Sequence, residues 1–176
     1  MNQKLMIRTE NENDVKAITD VTISAFKTLE ISQHTEQFII TALRAAEALS
    51  VSLVAEMDNS IVGHIAFSPV VISDGTPDWY GLGPLSVLPS HQRQGIGKTL
   101  VREGLSRLRG LNAKGCCVVG HPDYYPKFGF ENVADLSYKG VPPEVFFALS
   151  FNGNFPEGEV TFHEAFMATS EPERSP

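Results

Sequence analysis

The residues whose types and spacing could do chemistry are gathered between Leu82 and Phe130. Gln92-Arg93-Gln94-Gly95-Ile96-Gly97-Lys98-Thr99 follows an apolar segment ending in Val87-Leu88-Pro89 and precedes a helical stripe of Leu100, Val101, Gly104, Leu105 and Leu108. A loop that opens a helix presents N–H groups without internal partners, and the helix dipole adds partial positive charge, so the spacing predicts an anion site. Glycine at 95 and 97 removes side chains where a phosphate would approach the backbone. Arg93, Lys98 and Arg102 add positive charge around it. Three phosphate-binding readings compete. A Walker A loop would end in Gly97-Lys98-Thr99 but needs glycine where the chain has Gln92, which disfavours ATP. A dinucleotide fingerprint starting at Gly95 needs a third small residue where Leu100 stands, which disfavours NAD.

The third reading is a resemblance to a known family. Gln92-Arg93-Gln94-Gly95-Ile96-Gly97 matches the Gln/Arg-x-x-Gly-x-Gly/Ala signature of the coenzyme-A loop in the GCN5-related N-acetyltransferases (GNAT). Leu85-Ser86-Val87-Leu88-Pro89 resembles that family's fourth strand with its Val-x-Pro exit, and Tyr124 to Phe130 resembles its tyrosine-bearing helix followed by Gly-Phe. The resemblance covers about residues 4 to 133, and Gly120-His121-Pro122-Asp123 is most similar to the bacterial YhbS-type members.

It implies acetyl-CoA as co-substrate, its pyrophosphate held by the loop of Gln92, Arg93, Gln94, Gly95, Ile96, Gly97, Lys98 and Thr99. The backbone of Leu85, Ser86 and Val87 would lie beside the pantetheine arm like an added strand. It also implies direct attack by a neutral amine within a ternary complex, with a backbone N–H near Leu85 or Ser86 facing the oxyanion. Tyr125, which precedes Phe130 by five residues, takes the place of the acid that protonates the departing thiolate. Pro126 departs from the commoner pattern and predicts a shortened or tilted helix. On the residues alone, Tyr124 and Tyr125 read equally well as packing partners of Phe128 and Phe130. The sequence names no base for the amine: Glu56, Asp78 and His64 are candidates, against plain readings as solvated carboxylates and a hydrogen-bonded histidine. The alternative function is a catalytically silent acyl-CoA-binding regulatory domain, which could keep the loop without needing Tyr125.

The elements needed to position this loop are legible in the pattern. Leu5 to Arg8 reads as a strand, followed by a helix capped at Asn11 or Asn13 and carrying Val15, Ile18, Val21 and Ala25 on one face. A second helix is predicted over about 35 to 49, then strands over 51–56 and 61–72 joined by Met57-Asp58-Asn59-Ser60. A strand over 79–87 is interrupted by Gly81, Gly83 and Pro84, and a helix over about 97 to 108 leads to a buried strand, Gly115 to Val119, parallel to it. Two more strands are predicted over 146–151 and 160–166. Together with the resemblance this gives an α/β (α+β) GNAT-type fold. Its expected centre is a mixed, mostly antiparallel sheet of six to seven strands with a splayed parallel pair and about four flanking helices. One domain over residues 1–169 and a polar tail over 170–176 are expected.

Composition bounds the partners. A chain of 176 residues with a formal charge of −7 and a pI near 5.2 is poorly suited to nucleic acid or an anionic membrane, so neither is expected. A small-molecule or protein amine suits the acidic balance as acceptor. Met1 to Arg8 holds too short an apolar run for a signal-peptide core, which predicts a cytoplasmic protein. Cys116 and Cys117 are adjacent in an apolar run, giving neither a disulfide framework nor a zinc site, and no metal is expected. Many GNAT members dimerise, and the resemblance leaves a homodimer open.

Overall fold

In the computed structural model, which describes residues 4–171, an alternating pattern along two central strands decides which helix covers which face. The elements run β1 (Leu5–Thr9), α1 (Val15–Phe26), α2 (Glu36–Ala45), β2 (Val51–Met57), β3 (Ser60–Pro69), β4 (Val71–Ile72), β5 (Trp79–Val87), α3 (Ile96–Gly110), β6 (Gly115–Val119), β7 (Leu136–Tyr138), β8 (Phe146–Ser150) and β9 (Gly158–Thr161). Leu53 and Ala55 of β2 and Ile65 and Phe67 of β3 pack against Leu100, Val101, Leu105 and Leu108 of α3. Val54, one residue out of phase, packs instead against Ile18 of α1 and Ile40 of α2. Because strand side chains alternate, the two helical layers are fixed on opposite faces of one sheet.

The main sheet has the order β1-β2-β3-β5-β6-β8, and a small second sheet has the order β4-β9-β7. In the main sheet, pairing is antiparallel except between β5 and β6, where Trp79 to Gly81 lie parallel to Gly115 to Cys117. After Gly81 the two strands part. Pro84 has no N–H to give a ladder, and Gly83 sits at φ 138° before a cis peptide bond. On the other side of β5, Ile65 pairs with Leu85 and Phe67 with Leu82, so Gly83 and Pro84 stand opposite Ala66 as a bulge. Both cysteines are wholly buried in β6 as small core residues. Among the described residues, no helix is long and apolar enough to cross a membrane.

Several boundaries differ from those read in the sequence. The strand expected over 61–72 breaks after Pro69: Val70 donates to the Trp79 carbonyl at 3.1 Å, and the chain then joins the second sheet as β4. The segment expected as a strand over 160–166 divides into β9 and a 3₁₀ turn over Glu164–Met167, capped by His163 Nδ1, which accepts from the Ala165 N–H at 3.0 Å. Among the described residues three α-helices flank the sheet, because the tyrosine-bearing segment is a four-residue 3₁₀ turn over Tyr125–Phe128 with proline in its first turn. The tail expected over 170–176 falls largely outside the described residues.

A buried polar network ties β1 to α2 and to the centre of the sheet. Glu10 accepts from Arg44 Nε and Nη2 at 3.0 and 3.1 Å and from the Ser52 hydroxyl. Since the Ser52 proton goes to a carboxylate, the 2.8 Å contact between Ser52 Oγ and His64 Nε2 has the histidine donating. Burial outweighs the attraction of Glu10 and holds His64 below its ordinary pKa, so it stays neutral. Burial opposes ionisation of Glu10 as well, but His64, whose Nε2 lies 3.7 Å from Oε1, and the bonds from Arg44 and Ser52 overcome it and hold the carboxyl at about 2. A depressed carboxyl contributes stability that is complete above its ordinary value of 4.5 and fades as pH falls toward about 2. Urea unfolding of wild type and Glu10→Gln is therefore expected to show a gap on the order of 2 kcal/mol at pH 6 that closes by pH 2. A gap independent of pH would contradict it.

Candidate active site

The loop after β5 is shaped by its own backbone. Leu88 N–H donates to the Val62 carbonyl at 2.8 Å, a 3₁₀ turn covers Pro89–His91, and Gln92 Nε2 donates back to the Val87 carbonyl at 3.1 Å. Arg93 at φ 64° and Gly95 at φ 85° both take the left-handed conformation, which reverses the chain into α3. Thr99 makes the first helical bond, its N–H to the Gly95 carbonyl at 3.0 Å, and its hydroxyl donates to the same oxygen at 2.8 Å. Among the described residues, the N–H groups of Arg93, Gln94, Gly95, Ile96, Gly97 and Lys98 find no protein acceptor. Six adjacent donors at a helix start form a concavity suited to an anion. Ile96 is 2% exposed and pins that first turn into the core beside Leu100. The side chains of Arg93, Lys98 and Arg102 are exposed, and none is in an ion pair among the described residues.

The two loop glycines have different reasons. A side chain at Gly95 would meet nothing, so its backbone angle is the requirement there. A Cβ at Gly97 would lie 3.1 Å from the Tyr124 hydroxyl, so the absent side chain makes room for that tyrosine as well as for a ligand.

A cleft of about 410 Å³ opens where β5 leaves β6, lined by Leu82, Gly83, Pro84 and Leu85 on one strand and Val118 and Val119 on the other. Tyr125 also lines it. Its ring is 8% exposed and packs edge-on against Tyr124 and Phe130, with centroids 5.0 and 5.8 Å apart. Burial, with smaller contributions from Tyr124 and Cys116, raises the Tyr125 phenol above its ordinary pKa, so the hydroxyl keeps its proton at neutral pH. That hydroxyl makes no hydrogen bond to any described residue. The sequence left open whether the tyrosines only pack or also face a site: both pack, but Tyr125 fronts the cleft while Tyr124 reaches the start of α3. Leu85 lines the cleft, Ser86 is 1% exposed and offers only backbone, and Val87 adjoins Gly97.

The candidate bases are not brought here. Glu56 is bonded to Arg8 Nε at 3.3 Å, Asp78 is exposed at the start of β5, and His64 is committed to the Glu10 network. The carboxylate that does line the cleft is Glu36, which reading the sequence passed over. Its only local signal is an acid in the first turn of a helix, which is commonplace. Among the described residues, no group of three or more His, Cys, Asp or Glu side chains is arranged to hold a metal ion.

Comparison with known proteins agrees with this geometry. A family model described as an acetyltransferase (GNAT) domain matches residues 48–132. The uncharacterised N-acetyltransferase YhbS of Escherichia coli is 30% identical over 171 residues, spanning 92% of this chain and 98% of that protein. A GNAT-family acetyltransferase from Brucella melitensis, solved in complex with acetyl-CoA, is 45% identical with a TM-score of 0.84, covering 94% of this chain and 99% of that one. YhbS of Escherichia coli, solved in complex with CoA, also superposes with a TM-score of 0.84 at 29% identity, covering 99% and 98%.

Gly120 determines where the Tyr125 ring sits, since an added Cβ would fall 2.0 Å from a ring carbon. Gly120→Ala is expected to cost about 1–3 kcal/mol and to alter the near-ultraviolet tyrosine dichroism. An unchanged unfolding midpoint and spectrum would mean that the ring is not seated on residue 120.

Proposed function

The chain belongs to the GNAT acetyltransferase family, and we propose that it carries the acetyl group of acetyl-CoA to an amine by direct attack within a ternary complex. The observation that carries this reading is the row of six unpartnered N–H groups from Arg93 to Lys98, which offers a diphosphate the donors that water supplies in its absence. Arg93, Lys98 and Arg102 add charge around it. With the diphosphate there, the pantetheine arm lies along the edge of β5 that β6 has vacated, over Leu85 to Val87, and the thioester reaches the cleft.

The amine nitrogen attacks the thioester carbonyl carbon, forming the C–N bond and placing charge on the carbonyl oxygen. A backbone N–H near Leu85 or Ser86 faces that oxyanion. Collapse breaks the C–S bond, and Tyr125, buried enough to stay protonated and with no competing hydrogen bond, gives its proton to the thiolate. The nitrogen loses its own proton to solvent. A cytoplasmic setting, where acetyl-CoA is at hand, suits this reading. A silent acyl-CoA sensor would have no use for a phenol kept protonated and unbonded in the cleft, which favours turnover.

Acetyl-CoA should raise the melting temperature, whereas ATP with Mg²⁺ should not; stabilisation by ATP alone would overturn the cofactor assignment. Tyr125→Phe is expected to lower kcat for thiol release about 10²-fold or more while leaving the acetyl-CoA Kd unchanged. Equal rates in the two proteins would remove Tyr125 from the chemistry.

A further inference from the structure

The cleft between β5 and β6 has walls that select what can enter. Its outer wall is made by Phe26 of α1, Ile39 of α2, and Tyr138, Phe162 and Phe166 from the C-terminal third. The last three form one run of rings, Tyr138 to Phe162 at 4.8 Å and Phe162 to Phe166 at 5.2 Å between centroids. Ile31, in the loop before α2, is 95% accessible, and Met167, beside Phe166 in the chain, is 83% accessible. Among the described residues, no Lys, Arg or His lines the cleft, so none of them would pair there with a carboxylate or phosphate on an acceptor.

One formal charge lines it, that of Glu36. Glu36 Oε1 accepts from the Ser32 hydroxyl, but Oε2 is buried and has no donor among the described residues. A carboxylate oxygen without a donor is unfavourable; rotation of the Glu36 side chain would present Oε2 to the cleft, where an ammonium group is the partner that best relieves it. A second cation on the same acceptor would meet only rings and hydrocarbon, and a peptide backbone would lose its hydrogen bonds to water without replacing them.

We propose that the acceptor is a primary amine on an uncharged, ring-bearing hydrocarbon body, with its nitrogen held at Glu36 and its ring against Tyr138, Phe162 and Phe166. This inference rests on the acetyl-transfer reading and narrows it to a substrate class. Glu36 acts as the binding group for the arriving ammonium, which releases one proton to solvent before the neutral amine attacks, and the apolar wall orients the chain behind it toward the thioester. A cleft of about 410 Å³ is of the size that small-molecule sites take.

Binding to the CoA-saturated protein is measured by calorimetry for phenethylamine, spermidine, N-acetyl-lysine amide and phenylpropionate, and thiol release from acetyl-CoA is followed with the same compounds. Phenethylamine is expected to bind at least about tenfold more tightly than any of the other three. Glu36→Gln should weaken phenethylamine at least about tenfold with acetyl-CoA affinity unchanged. The ranking of compounds is read on wild type and does not depend on the variant folding. Spermidine or the lysine amide binding as tightly as phenethylamine, or an unaltered phenethylamine affinity in a folded Glu36→Gln protein, overturns the inference. Phenethylamine bound without thiol release would uphold the acceptor class and sink acetyl transfer. Thiol release confined to spermidine or the lysine amide would do the reverse.

Discussion

Backbone groups that the fold leaves without partners run from the middle of β5 to the first turn of α3. β6 accompanies β5 only from Trp79 to Gly81, so from Leu82 onward that edge of β5 has no strand beside it. A few residues later the chain offers six N–H groups in succession with no acceptor among the described residues. Arg93, Gln94, Gly95 and Lys98 are exposed, so their N–H groups are open to water or a ligand, whereas those of the buried Ile96 and half-buried Gly97 are costly when unsatisfied. Here the two stretches are separated only by the internally bonded turn from Leu88 to Gln92, so one extended ligand with a diphosphate at one end and an amide-bearing arm at the other would satisfy both. The rest of the molecule can be understood as the framework that holds those groups apart from their usual partners.

That framework works by packing. α3 is fastened through Ile96, Leu100 and Val101 to β2 and β3, which fixes the direction in which its first N–H groups point. The bulge at Gly83 and Pro84 keeps β5 bonded to β3 while freeing its other edge. Tyr125 is set at the resulting opening by Gly120 and by the rings of Phe130 and Phe147, so its hydroxyl meets the cleft without a bond to spare elsewhere. On the opposite face, the network of Glu10, Arg44, Ser52 and His64 locks α2 to the sheet and thereby places the helix that carries Glu36.

What the sequence revealed, and what it did not, follows from the range of the forces involved. The turn from Gln92 into α3 was legible as a helix start with free N–H groups because that is a local property of consecutive backbone groups, with Gly95 supplying the left-handed angle. The main sheet was legible because alternation and apolar runs are local, as was the interruption at Pro84. The short strands β4, β7 and β9 escaped notice or were misplaced because two to four residues carry no periodic signal and are held by tertiary contacts. Pro126 did announce a disturbed helix, and the structure shows how far that goes: one 3₁₀ turn. His64 could not be separated from a catalytic base until Glu10 and Ser52, distant in the chain, were seen to claim it. Glu36 had only the commonplace signal of an acid in a helix's first turn, since the ring wall that shares its cleft is assembled by segments far along the chain.

The account depends on the main-chain nitrogens of Arg93 to Lys98 receiving the diphosphate of the cofactor. Amide ¹H–¹⁵N spectra recorded during titration with CoA, and separately with pantetheine, which lacks the diphosphate, test this directly. The prediction is that the resonances of Arg93 to Lys98 move progressively with CoA and stay in place with pantetheine. If CoA binds while those resonances do not move, or if pantetheine moves them equally, the diphosphate lies elsewhere and the account is wrong.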